Sequence, residues 1–244
     1  MISLSLQLYS IRQTMQQDVA AGLKQVKAAG YTGVELAGYY DLSANKMRLL
    51  LEQNQLRPVS SHISLEQLQD NLDFHINYLQ QLGCDFLVCP WAQMENTQQA
   101  VQIGEQLRQI SERCAMAGIN LGYHNHTQEF KKAEDNRFLF DHLMDAAGPL
   151  VFAELDVAWI THQDVQPIEI MRHYAGRIPL LHLKQINADK QICSFDQGTI
   201  DFGEIIKAGN VLGVEEYIVE QDACDVSLQD IKDNFQHIQQ LKGV

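Results

Sequence analysis

Two textures alternate along the chain: short, mostly apolar runs, and longer stretches in which apolar residues recur at three- and four-residue steps. The short runs Ile2–Tyr9, Gly33–Gly38, Arg57–Ile63, Phe86–Trp91, Asn120–His126, Val151–Trp159, Ile178–Gln185 and Glu216–Asp222 predict strands. The stretches between them predict helices. Leu65, Leu68, Leu72, Ile76 and Leu79 mark one buried stripe, and Leu228, Ile231, Phe235, Ile238 and Leu241 another. Gly30, Gly83 and Gly118 each close a helical stretch just before a strand, where a left-handed cap releases the chain. Strands joined through helices run parallel, and eight such units predict an α/β fold closed as a single-domain (β/α)8 barrel over residues 1–244; a doubly wound open sheet is the alternative.

Composition narrows this picture. A barrel of this kind takes roughly 250 residues as one domain, and the 244 residues here carry no Pro/Gly-rich linker, low-complexity tract or charge block. With 45% hydrophobic and 20% charged residues, the chain has the apolar mass for a large core. A formal charge of −13, with no Lys/Arg cluster, argues against a nucleic-acid partner, because phosphate binding needs clustered cations. Neither a leader-like N-terminus nor a membrane-length apolar stretch is evident, so no membrane is expected and the predicted location is cytoplasmic. Cys84, Cys89, Cys114, Cys193 and Cys224 are odd in number and never paired as CxxC, and read as reduced thiols, mostly in the core. Cys89 and Cys224 fall at strand ends without a companion His, which makes a nucleophilic role minor.

The chemistry lies inside the predicted strands. Parallel strands buried on both faces should be apolar throughout, yet several carry ionisable groups on alternate residues. Glu154 and Asp156 share one face while Leu155 and Val157 share the other; His182 and Lys184, Glu220 and Asp222, and His124 and His126 repeat the pattern. In a barrel the apolar alternates pack on the helices, and the polar set points inward near the C-terminal rim, where active sites of this fold sit. A lone strand His reads as a satisfied interior histidine and a lone Glu as a rim residue. Repetition in four strands is what points to a site. Several buried carboxylates need a neutralising cation, and a mixed oxygen and nitrogen donor set suits one catalytic Mn, Mg, Zn or Co ion. His75, His142, His173 and His237 fall on predicted helices and are expected at the surface. Gly198-Thr199-Ile200-Asp201 lacks the context of a phosphate-binding loop, and no nucleotide motif occurs elsewhere.

Gly33-Val34-Glu35-Leu36, Ser61-His62, Tyr123-His124-Asn125-His126, Glu154-Leu155-Asp156-Val157-Ala158-Trp159, His182-Leu183-Lys184, Gly198-Thr199-Ile200-Asp201-Phe202 and Val219-Glu220, in this order, resemble the xylose-isomerase-like TIM barrels. That family includes sugar-phosphate isomerases and epimerases, ketose 3-epimerases, hydroxypyruvate isomerase and inosose dehydratase, with endonuclease IV and the AP endonuclease family 2 proteins as relatives. The resemblance implies one divalent metal held from strands five to eight, here by His124, Asp156, His182 and Glu220. Many epimerases of the family have Glu in place of His124, and use two Glu ligands as the acid–base pair. Glu154 is therefore the candidate second base or an additional ligand. The implied reaction is isomerisation or epimerisation of a small-molecule carbohydrate through an enediolate. In that scheme Glu220 and Glu154 move protons, Lys184 holds an oxyanion, and Glu35, His62, His126 and Trp159 bind substrate. A lyase that expels a β-hydroxyl from the same intermediate is the alternative, and a non-catalytic sugar-binding barrel is the alternative of another class. No basic phosphate clamp is evident, so a non-phosphorylated substrate is as well supported as a phosphorylated one. The resemblance also implies a homodimer or homotetramer.

Overall fold

A computed structural model describes residues 3–222 and 226–241. Cys224 and the first residue of the run beginning at Ile2 lie outside the described residues. The strands are β1 (Leu4–Gln7), β2 (Gly33–Ala37), β3 (Arg57–His62), β4 (Phe86–Cys89), β5 (Asn120–His124), β6 (Val151–Asp156), β7 (Leu180–Leu183) and β8 (Glu216–Val219). All pair in parallel and in chain order, and β1 pairs with β8 through Leu4↔Tyr217. The sheet is therefore closed, and the open doubly wound alternative is excluded.

Inward and outward residues separate into two apolar bodies. Leu6, Leu36, Leu87, Leu121, Leu155, Leu183 and Val219 belong to the shell between strands and helices. Val59, Val88, Phe152, Leu180 and Ile218, with Phe86 against them, form a separate plug inside the barrel. Gly122 makes room for this plug, because a Cβ there would sit 2.4 Å from the Phe152 ring. One strand breaks strict alternation. Both Val59 and, above it, Ser60 and His62 face inward, and the register shift opposite Val34/Glu35 accommodates this.

The predicted strands are too long at their C-terminal ends. Tyr9 lies in a 3-10 turn, Leu8–Ile11, and Val157–His162 is already helical. His126, Trp91 and Glu220–Asp222 follow the strands they were assigned to. At the mouth the strands stop bonding to one another and side chains take over the backbone donors. Gln7 Oε1 accepts from the Tyr9 amide, and Asp156 Oδ1 caps the next helix by accepting from the Ala158 and Trp159 amides.

The leucine stripe at Leu65–Leu79 forms the helix Leu65–Leu82, and the last stripe forms Leu228–Gln239. Gly30, Gly83 and Gly118 all take positive φ at or just past helix ends, as their positions predicted. Among the histidines expected at the surface, His75 is a correction. It is buried, and its Nδ1 lies 3.2 Å from the Tyr39 hydroxyl, because that face of its helix packs under the loop after β2. Cys84, Cys89 and Cys114 are buried, while Cys193 is partly exposed.

Candidate metal centre and active site

Four strands end in a common stack. Reading upward from the plug along the inward face, β6 presents Phe152, Glu154 and Asp156; β7 presents Leu180, His182 and Lys184; β8 presents Ile218, Glu220 and Asp222; and β5 presents Gly122, His124 and His126. Pairing sets these levels side by side, His124 against Glu154 and Asp156 against His182. Sequence spacing thus puts the charges on one face, and strand register brings them to one height.

Two overlapping groups could hold a metal ion, each with donor atoms all within 4.8 Å of one another: His124, Asp156, His182 and Glu220, and His62, His124, Glu154 and His182. The first is the set implied by resemblance. In the second, His62 Nδ1 lies 3.2 Å from Gln7 Nε2 and its Nε2 lies 2.7 Å from Glu154. His182 Nδ1 lies 3.0 Å from Glu220 Oε2, while its Nε2 is held by Glu35 at 2.7 Å. Glu35 is itself fixed by hydrogen bonds from Ser60 and from Gln7 Nε2. A carboxylate behind an imidazole, itself anchored, is the usual backing of a metal-binding histidine. Glu154 Oε2 lies 3.2 Å from His124 Nδ1. Glu154 Oε1 is buried without a hydrogen bond, and Asp156 Oδ2 has only the Lys184 ammonium, at 3.1 Å, against its burial, so the buried carboxylates outnumber their partners, a state that a further cation would relieve. The residues therefore fit a divalent metal.

Lys184 is the internal counter-charge. Its ammonium lies 3.1 Å from Asp156, 2.8 Å from Glu220 and 3.2 Å from Asp222, and 4.8 Å from the centre of the Trp159 ring. Burial alone would discharge it, but the three carboxylates outweigh burial and raise its pKa. Burial would raise Glu220 too, yet Lys184 and His182 hold it well below the usual carboxylate range. Burial and the neighbouring Glu35 push Glu154 up to about 7. Burial and the cationic groups around it lower the pKa of His124, whereas Glu154 and Glu35 outweigh burial and raise that of His182.

Above the stack opens a cavity of about 480 Å³. Its ionisable lining is His62, His124, His126, Glu220 and Asp222; the rest is Tyr9, Trp91, Pro90 and Ala37. Of the residues singled out in the sequence, Glu35, Glu154, Asp156, His182 and Lys184 lie buried beneath this lining. Trp159 is half-buried, stacked on His126 with ring centres 5.7 Å apart, and is not part of the cavity wall. Sequence reasoning passed over Tyr9, Trp91 and Gln7. Tyr9 and Gln7 continue the inward phase of Ser5, a signal available in the sequence. Trp91 has none, because Pro90 ends the alternation of β4.

Residues 23–222 match the sequence model of the xylose isomerase-like TIM barrel family. Inosose dehydratase of Clostridium beijerinckii is 23% identical, over 82% of this chain and 81% of its own. The crystal structure of a sugar phosphate isomerase/epimerase from Parabacteroides distasonis superposes with a TM-score of 0.86 at 25% identity, covering 99% of this chain and 94% of that one. The IolI protein, solved with a bound zinc atom, superposes with a TM-score of 0.76 at 12% identity, over 98% of this chain and 96% of its own.

Proposed function

Since the chain belongs to the xylose isomerase-like TIM barrel family, we propose that it is a divalent-metal-dependent isomerase or epimerase of a small keto-sugar or keto-polyol. The observation that carries this reading is the convergence of His124, Asp156, His182 and Glu220 on one point, with donor atoms within 4.8 Å of one another, beneath a cavity that His124 and Glu220 line. The zinc bound by the IolI relative supports the choice of a divalent ion. Such an ion would act as a Lewis acid on a substrate carbonyl, lowering the pKa of the adjacent C–H bond.

The chain's own groups supply the rest. Glu220 lines the cavity beside that position and takes the proton from carbon. His62, braced by Glu154 and Glu35, faces the same cavity and returns a proton. Glu154 and Glu35 have no exposure and serve as positioning residues. Lys184 offsets the negative charge of Glu220 and Asp222 as the enediolate develops. The same first step, followed by loss of a β-hydroxyl, makes a dehydratase; the name of the Clostridium relative favours keeping that reading second.

Elemental analysis of purified protein and of a His182→Ala, Glu220→Gln variant tests the site: about one divalent ion per chain, lost in the variant, is expected. Incubating ketoses and inososes with the loaded enzyme in D2O separates the reactions. Deuterium at the carbon next to the carbonyl without water loss indicates isomerase or epimerase chemistry, and an enone or enediol absorbance indicates the lyase. Metal without turnover of either kind favours a binding barrel, and no metal overturns the proposal.

A further inference from the structure

One fully buried carboxylate takes no part in the metal centre and has no cation beside it. Glu35, Glu154 and Asp156 each face a His or Lys. Glu129, in the 3-10 turn Gln128–Phe130 beyond β5, is as deeply buried, and no Lys, Arg or His pairs with it among the described residues. A carboxylate taken out of water needs hydrogen-bond donors in compensation. Here Oε1 accepts from the Tyr123 hydroxyl at 2.7 Å and from Gln128 Nε2 at 3.3 Å, and Oε2 accepts from the His126 amide at 2.9 Å.

Each of these donors leads to the cavity. His126 lines it, and its ring Nδ1 has no hydrogen-bond partner. The Tyr123 hydroxyl that donates to Glu129 also accepts from the Ala92 amide at 3.3 Å, and the same Gln128 side chain donates to the Ala92 carbonyl at 2.8 Å. Both backbone groups of Ala92 therefore end on the Glu129 network, directly after Pro90 and Trp91 of the cavity wall. Pairing between β4 and β5 stops at Cys89 and Tyr123. Beyond that point side chains replace the ladder as the link between the two loops, and only a carboxylate offers two acceptor oxygens to donors from separate segments.

We propose that Glu129 is a positioning residue of the reaction and acts through His126. It fixes the backbone from which that imidazole reaches a substrate oxygen, and it ties the loop after β4 to the same point. Glu129 is not part of the cavity wall, so it acts only by holding other groups. This rests on the cavity being the reaction site proposed above.

A double-mutant cycle between Glu129 and His126 tests this in two readings. The chain contains two tryptophans, and Trp159 stacks on His126, so in a Trp91→Phe background the intrinsic emission reports the His126 ring without any turnover. His126→Ala should change that emission, Glu129→Ala should shift it in the same direction, and Glu129→Ala should add no shift where His126 is already Ala. With Trp91 intact, and on whichever ketose or inosose exchanges deuterium, Glu129→Ala should lower kcat/KM about ten- to hundredfold, the effect of a misplacement near 1 Å. In a His126→Ala chain the same substitution should cost less than about twofold, and metal content should stay unchanged throughout. Glu129→Gln keeps the volume, loses one acceptor oxygen and should show the same coupling at smaller size, which serves where the Ala variant does not fold. Additive effects in either reading, an emission that Glu129→Ala leaves unchanged, or loss of metal overturns the inference. Where no substrate exchanges deuterium, it is the proposed reaction that fails, and the emission cycle still decides whether Glu129 holds His126.

Discussion

Replacing Lys184 by Met removes the charge that neutralises the site and keeps most of the side chain's volume. In the folded protein its ammonium is 1% exposed and within 3.2 Å of carboxylates of Asp156, Glu220 and Asp222, themselves 0%, 7% and 21% exposed. Removing one partner of a buried ionic cluster costs about 3–5 kcal/mol, because the remaining charges stay desolvated and unpaired. Asp222 retains some solvent, which favours the lower part of that range, about 3–4 kcal/mol. For a chain of this size each kcal/mol corresponds to about 2–4 °C, so the melting temperature in EDTA should fall by about 6–16 °C. A divalent ion binds some of the same carboxylates and supplies the missing charge. Saturating Mn²⁺ should therefore stabilise Lys184→Met more than it stabilises the parent, with the gain growing as the logarithm of concentration above the dissociation constant. The assay is thermal and urea unfolding of both proteins with EDTA and across a Mn²⁺ series. A loss under about 1 kcal/mol in EDTA, comparable to a surface ion pair, would refute the view that this lysine is the counter-charge of the centre. Equal stabilisation of both proteins by metal would refute the shared-carboxylate argument.

Phe152→Ala should empty part of the plug inside the barrel and cost about 3–5 kcal/mol in urea unfolding, with metal content per folded chain unchanged, since Phe152 lies one inward position below Glu154. Gly122→Ala should cost about 1–3 kcal/mol by overpacking, because its Cβ would meet the Phe152 ring; the double variant with Phe152→Ala should lose less than the sum, and strict additivity would contradict that contact. Cys84, Cys89 and Cys114 are pushed by burial up to about 12, so iodoacetamide at pH 8 should leave all three unlabelled in native protein while alkylating them after denaturation, as peptide mass spectrometry would read. A folded pKa above the unfolded value of about 9 means that these thiols contribute their full stability below pH 9 and lose it as pH rises toward 12; unfolding at pH 8 and 10.5 should show that fall, and a Cys84→Ala variant should show a shallower one.

Much of the site was legible because strand alternation is a local property. The period of two in Glu154-Leu155-Asp156-Val157 and in His182-Leu183-Lys184 follows from backbone geometry, and outward leucines leave the charges one direction to point. Eight repeats of one texture, each with a face to bury, likewise predicted parallel strands and favoured their closure, which the pairing of β1 with β8 then decided, and the glycine caps marked where the helices stop.

Other features depended on contacts between distant segments. His62 faces the cavity beside Glu154 because a register shift against β2 resets the phase of β3, and no window of β3 alone carries that information. Glu154 reads in the sequence as an equal of Asp156, but the stack sets it lower, against His62 and His124, so that one carboxylate braces imidazoles while the other faces Lys184. Trp159, expected against substrate, and Trp91, passed over, were placed by loop geometry: a helix starting at Val157 turns the first aside onto His126, while Pro90 follows β4 and the second lines the mouth. The sequence by itself determined which faces are polar, because that is set residue by residue along the chain. Height within the barrel and access to the cavity were decided only by tertiary structure, because each depends on where a neighbouring strand begins and ends.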